Sequence, residues 1–195
     1  EVLVVHPETR TVCPPGRVGE LWVRGPGVAR GYWGKTTPVF EGYVLNSEGS
    51  SFLRTGDLGF VTDGEIYVTG RIKDLIIIRG RKLYPQDIEL TVETSHPKIR
   101  PHACAAFSIV AEGLESVAVA VEIERTSSDA DDALREKVTR AIRQAVSETH
   151  EVGLAQVTLL RPGSLPRTTS GKIRRSALKK SLPLSNKALS TSNAS

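Results

Sequence analysis

Cysteine is almost absent from these 195 residues: there are two. Cys13 and Cys104 lie far apart and match neither a metal-ligand spacing nor a redox motif. That argues against a disulfide framework and for reduced thiols in a cytoplasmic protein. Long hydrophobic runs are also missing. The longest aliphatic stretches are a few residues, against the roughly 20 that a membrane-crossing helix needs, so no membrane span is expected. Glu1 opens directly into Val2-Leu3-Val4-Val5, which reads as a strand rather than a leader. The excess of positive charge is small, a net +4, which by itself implies no nucleic-acid partner. One stretch lacks acid altogether: Arg161 to Lys180 holds seven basic residues and none of opposite sign. It has no interleaved aromatics, so it does not read as a nucleic-acid surface, and such a run is most often a solvated face. The histidines His6, His96, His102 and His150 are scattered without a paired acid or a metal spacing, so no metal site is expected among them. No internal repeat is present. An apolar fraction of 39% and a charged fraction of 25% are ordinary for a folded domain.

What is present divides in two. Residues 1–72 are β-rich, with Val2–Val5 and Gly19–Gly25 as strands. Thr36–Ser51 reads as a long surface loop. Phe52–Thr55 and Gly59–Val61 flank a Gly56-Asp57 turn. Asp63-Gly64 is a tight hairpin turn leading into Glu65–Val68. This part reads as a small barrel-like subdomain, too small to bury a substantial core alone. From residue 73 the pattern is mixed. Leu75–Ile78 is a short β-branched run, and Pro85 opens a helix in which Ile88 and Val92 share a face. Ala103–Ile109, Ser116–Ile123 and Gln156–Leu160 read as strands. Ser127-Ser128-Asp129 caps a helix with Leu134, Val138, Ile142 and Ala145 on one stripe. A loop, Arg161–Gly171, leads to a short basic helix from Lys172 to Lys180, and 181–195 reads as a tail or linker. The expected class is α+β: a small β-rich subdomain, a hinge, and a compact mixed α/β domain over 73–180.

Three short motifs stand in a fixed order: Arg54-Thr55-Gly56-Asp57, Gly70-Arg71-Ile72-Lys73-Asp74, and Gly171-Lys172-Ile173. Together they resemble the last signature motifs of the adenylate-forming enzymes, a superfamily that includes acyl-CoA synthetases, peptide-synthetase adenylation domains and luciferase. The wording LIIIRGRKLYPQDIE is most similar to the fatty acyl-AMP ligases. The resemblance runs from about Glu1 to Lys180. It implies a carboxy-terminal part of such an enzyme, because the family's phosphate-binding loop and acyl pocket are not among these residues.

The resemblance assigns roles residue by residue. Asp57 would hold the ribose hydroxyls of ATP, since a carboxylate can accept two hydrogen bonds from a vicinal diol. Taken alone, an aspartate beside glycine is simply a common turn residue. Arg71 would be a second nucleotide contact, its fixed guanidinium suiting a ribose or phosphate oxygen; the plainer reading is a surface ion pair, for example with Asp74. Lys73 and Asp74 would be the hinge about which the small domain swings, or merely an exposed polar joint. Lys172, in a flexible loop at a helix start, would be the catalytic lysine bridging the attacking carboxylate and the α-phosphate; an isolated Ser-Gly-Lys would more simply be a loop that binds nothing. Arg174, Arg175, Lys179 and Lys180 would form a basic patch for an acidic acyl carrier protein. Ile77 stands where some family members carry a lysine used in their second step, which puts a lysine-assisted second step in doubt. The implied substrates and cofactors are a fatty acid, ATP with Mg2+ (its ligands outside this chain), and phosphopantetheine on the acceptor. Coenzyme A as acceptor, or a carrier-docking module without chemistry, are the competing expectations.

Overall fold

The computed structural model describes residues 1–29, 42–43, 51–111, 113–125 and 131–181. The chain divides into two compact units, Glu1–Leu75 and a second beginning at Ile76. The division falls after Leu75 rather than after Ile72, because Lys73 and Asp74 are wound into a 3-10 turn, Ile72–Asp74. That turn continues from the last strand of the first unit and closes by the Leu75 amide donating to Arg71 O and Ile72 O.

The first unit is an antiparallel sheet. Strands β1 (Val2–Val5), β2 (Gly19–Val23), β3 (Gly42–Tyr43), β4 (Ser51–Thr62) and β5 (Glu65–Arg71) run in the order β1-β2-β4-β3, with β5 also on β4. Among the described residues β1 and β5 each have one neighbour. Val5, Trp22 and Phe52 form its small buried cluster, with Leu3 against them. The expected hairpin turn is there: Asp63 and Gly64 have φ of 51° and 80°, the left-handed pair that a two-residue turn requires. Gly59 answers a different need. A Cβ there would come within 2.4 Å of Tyr67 O and 3.0 Å of Leu21 Cδ1, so only glycine lets β5 close on β4 beneath Leu21. Of the Thr36–Ser51 loop, only Gly42–Tyr43 and Ser51 lie among the described residues. Trp33 and the Ser127-Ser128-Asp129 cap lie outside them.

In the second unit β6 (Ile76–Ile78) and β7 (Arg81–Leu83) make a hairpin around Arg79-Gly80, both with positive φ. Helix α1 (Pro85–Thr94) follows, with proline at its first turn and Ile88 and Val92 fully buried. Strands β8 (Ile99–Ala111), β9 (Leu114–Ile123) and β10 (Leu154–Leu160) form a sheet in the order β10-β9-β8, β8 antiparallel and β10 parallel to β9. The parallel pair is the one bridged by helix α2 (Asp131–His150), as parallel connections require. Val138 and Ile142 of α2 are fully buried as expected, and the stripe ends on Val146 rather than on Ala145.

The sheet is covered on both faces. Cys104, Ala106, Val117, Val119, Val121 and Ile123 pack with α1 and α2 residues in the main core. Ala103, Ala105, Phe107, Ala118 and Ala120 pack on the other side with Leu165 and Leu178. Leu178 belongs to the last helix, α3 (Arg175–Ser181). That helix starts three residues later than expected, at Arg175 instead of Lys172. Valines thus face the helices, and alanines leave room for a loop and a short helix to lie close on the other face.

Candidate active site

The sequence expectation of a turn at Gly56-Asp57 is replaced by a bulge inside the uninterrupted strand β4. Between the ladder pairs Glu20↔Leu58 and Trp22↔Arg54, Thr55, Gly56 and Asp57 oppose Leu21 alone. Gly56 takes a φ of 72° there, which glycine adopts without strain. The bulge is bonded from behind. Glu20, 2% exposed, accepts the Gly56 amide on Oε1 (3.1 Å) and the Arg54 Nε and Nη2 on Oε2 (3.0 and 2.8 Å). Thr55 Oγ1 donates to Leu21 O (2.7 Å) and accepts the Asp57 amide (3.0 Å).

Asp57 is therefore presented from a fixed backbone. Its Oδ1 accepts Arg71 Nε at 2.8 Å, the side chains being 31% and 53% exposed, and the two residues face each other in the β4–β5 register. Arg71 pairs with Asp57. An ion pair this exposed contributes only about 0–1 kcal/mol, so stability does not account for it. It does leave a carboxylate and a guanidinium side by side at the sheet surface, and Oδ2 of Asp57 accepts nothing among the described residues. Lys73, in the turn that follows, is exposed, and Asp74 is half-buried.

The second unit carries Lys172 on a closed turn rather than a flexible loop. The Gly171 amide donates to Thr168 O (2.9 Å) and the Thr168 amide to Lys172 O (2.8 Å). Thr168 Oγ1 accepts the Lys172 amide at 3.1 Å, and Gly171 has a φ of 81°. Arg167 bridges the base of this turn, its Nη1 donating to Gly171 O (2.9 Å) and Nη2 to His102 O (2.7 Å). The Lys172 ammonium, by contrast, makes no hydrogen bond or ion pair among the described residues. A preorganised backbone holds an uncommitted charge.

Three of the seven cations of the basic run are already engaged, Arg167, Arg175 and Lys179. Arg167 is bonded as described. Arg175, expected in the outer patch, is only 20% exposed and grips Glu89 of α1, with Nε and Nη2 within 3.0 Å of its carboxylate. Glu89 also accepts the Ala106 amide at 2.9 Å, so Arg175 ties α3 to α1 and β8. Burial raises the Glu89 pKa, and Arg175 and the Ala106 amide offset only part of that rise. Arg174, Lys179 and Lys180 are exposed, Lys179 donating to Ser108 Oγ at 3.0 Å. Ile77 is 45% exposed on β6.

Among the described residues no three His, Cys, Asp or Glu side chains gather to hold a metal ion. No helix among them is long and apolar enough to cross a membrane. Sequence reasoning missed Glu20 and a second buried acid, Glu122 of β9. Their strands were legible, but a lone acid on an alternating strand reads as its wet face.

Residues 73–189 match the family model described as Disco-interacting protein 2-like, AMP domain. The chain is 47% identical over 180 residues to the medium-chain-fatty-acid–[acyl-carrier-protein] ligase JamA of Moorena producens, covering 91% of this chain and 30% of that protein. It is 41% identical over 185 residues to the long-chain-fatty-acid–AMP ligase FadD26 of Mycobacterium tuberculosis, covering 90% and 31%. Among solved structures, a fatty acyl-adenylate ligase from a study of the E. coli and L. pneumophila enzymes superposes with a TM-score of 0.74 at 35% identity, over 92% of this chain and 30% of the solved chain. The chain thus spans about a third of the length of these relatives. It belongs to the AMP-domain family of adenylate-forming enzymes.

Proposed function

We propose that this chain is the carboxy-terminal part of a ligase that activates a fatty acid with ATP and passes the acyl group to the phosphopantetheine thiol of an acyl carrier protein. In the first step a carboxylate oxygen attacks the α-phosphorus, the bond to the β-phosphate oxygen breaks, and pyrophosphate leaves. In the second the thiol sulfur attacks the acyl carbonyl, AMP departs, and the thiol loses its proton. Asp57 accepts the ribose hydroxyls and Arg71 steadies a neighbouring oxygen. Lys172 places its charge between the two anions that meet in the first step, where a preorganised donor is worth most. Lys73 and Asp74 form the joint about which the second unit turns between steps, the exposed lysine staying solvated throughout.

The observation that carries this reading is the Lys172 ammonium, uncommitted on a turn whose backbone is bonded throughout. A merely solvated lysine needs no such frame. The relative at 47% identity is named an acyl-carrier-protein ligase and favours the carrier-protein acceptor, while relatives at 40–42% named putative fatty-acid–CoA ligases keep coenzyme A as the competing acceptor.

The test is a competition. The complete ligase containing this chain is given ATP, fatty acid, a phosphopantetheinylated carrier protein and coenzyme A together, and both products are counted. Acylated carrier protein should dominate; mainly acyl-CoA would establish the other acceptor, and binding of carrier protein without pyrophosphate release would reduce the chain to a docking module.

A further inference from the structure

Glu122 takes no part in the chemistry above, yet it is buried, charged and aimed at the segment that carries Lys172. On β9 it follows Ala118 and Ala120 at alternate positions, so it lies on the alanine face, against which Leu165 packs. Its carboxylate is 2% exposed. Oε1 accepts the Leu165 amide at 2.9 Å, and Oε2 accepts Arg100 Nη1 at 3.1 Å.

From this anchor the bonds continue to the lysine. Next to Leu165, Pro166 O accepts the Arg174 amide at 2.8 Å. Arg167 pairs with Ile173 across an isolated bridge and clamps Gly171 O and His102 O. The turn between them presents Lys172. An apolar residue would fill the site of Glu122 without the penalty of burying a charge, and buried ion pairs are weak stabilisers in general. What a leucine could not do is accept the Leu165 amide of a loop that has no ladder of its own, and so fix where that loop sits.

We infer that Glu122 is a positioning residue for Lys172: its carboxylate holds the backbone at Leu165, and through Pro166 and Arg167 sets the place from which the Lys172 turn projects. The inference rests on the reading of Lys172 given above. A small displacement of a catalytic group can cost up to about 10²-fold in rate.

Four variants of the complete ligase test it: Glu122→Ala, Glu122→Gln, Lys172→Ala, and the Glu122→Ala/Lys172→Ala pair. For each, pyrophosphate release with fatty acid and ATP is compared with acyl transfer from supplied acyl-adenylate, and amide hydrogen exchange is followed. Glu122→Ala should slow the first step on the order of 10-fold and leave transfer within about twofold. Glu122→Gln, whose amide oxygen can still accept the Leu165 amide, should recover part of the loss. In the Lys172→Ala background the Glu122→Ala loss should nearly vanish, because a displaced lysine and an absent one are equivalent. Exchange at Leu165 should accelerate while Val119 and Val121 stay protected. Losses that multiply in the double variant, equal losses in both half-reactions, unchanged exchange at Leu165, or core protection lost in both Glu122 variants would each overturn the inference. If Lys172→Ala leaves adenylation intact, the reading of Lys172 falls and takes positioning with it; the exchange data would still report separately whether Glu122 holds the segment.

Discussion

Asp57 and Lys172 are mounted alike and left in different states. Each projects from irregular backbone, a bulge in β4 and a closed turn before α3, and each irregularity is tied to a buried glutamate of a neighbouring strand. Glu20 accepts a loop amide and an arginine, Arg54; Glu122 accepts a loop amide and an arginine, Arg100. The functional groups differ. Asp57 already holds Arg71, whereas the Lys172 ammonium holds nothing among the described residues. The difference fits their proposed tasks. A ribose contact acts whenever nucleotide is bound and loses little by having a cation beside it. A charge that must meet two anions in one step and leave before the next is hindered by any standing partner, whose bond would have to be broken first.

Removing the uncommitted charge should break the comparison most severely. Lys172→Ala should slow adenylate formation by about 10²–10³, the range for one lost preorganised donor, and leave transfer from supplied acyl-adenylate nearly unchanged. Equal slowing of both half-reactions would place Lys172 outside the first step. Next is the post behind Asp57. Glu20→Ala strands the Gly56 amide and removes the partner of Arg54. The side chain of Arg54 is 34% exposed and can rehydrate, so the expected cost is about 2 kcal/mol, below the 3–5 kcal/mol for a fully buried pair. A lower urea midpoint, read by the buried Trp22, is the measurement; an unchanged midpoint would mean that Glu20 does not hold the bulge.

The parts that sequence disclosed and the parts it hid follow a physical line. The hairpin turn at Asp63-Gly64, the α1 face of Ile88 and Val92, and the alternating valines of β9 depend on local signals. The Gly56-Asp57 bulge did not read correctly because glycine announces a positive φ without saying whether the chain reverses or continues. Glu20 and Glu122 were invisible as anchors because their burial depends on what covers the second face of each sheet, which is a tertiary fact. The Arg161–Lys180 cations were treated as one patch because the start of α3 was placed at Lys172. With the helix starting at Arg175, Arg175 turns inward to Glu89 while Arg174 stays outside.

A third comparison sets the two buried acids of the second unit against each other by pH. Burial raises the pKa of Glu122, but the Leu165 and Gly163 amides, with Arg100 and Arg167, more than reverse this and leave it below the ordinary range. Its contribution to stability is therefore complete above the unfolded value of about 4.3 and is lost as pH falls through the lower folded value. Burial leaves Glu89 raised, so its protonated form is the one folding favours. Its contribution is complete below about 4.3 and is lost as pH rises through the folded value. Denaturant midpoints of Glu122→Gln and Glu89→Gln, each taken relative to the parent chain, should therefore drift in opposite directions on acidification. Parallel drifts would contradict these assignments.

The smallest effect expected is on encounter with the carrier protein, and it separates two adjacent arginines. Arg174 and Lys180 are exposed, and an acidic partner would meet them through solvent, where attraction speeds association at low salt and is screened within about 10 Å at 0.1 M. Arg174→Glu with Lys180→Glu should slow acylation of the carrier protein a few-fold at low ionic strength and flatten its salt dependence. Adenylation and the unfolding midpoint should stay near the parent values, since neither side chain has a partner whose loss would be felt. Arg175→Glu should behave otherwise. It sets a carboxylate against Glu89 at a site where the two side chains are 20% and 13% exposed, so it should lower the unfolding midpoint and loosen α3 at every salt concentration. Measured side by side, rate against ionic strength and midpoint against denaturant divide the two roles. A salt-dependent carrier defect in Arg175→Glu with an unchanged midpoint would return Arg175 to the outer patch and remove the anchor assigned to it here.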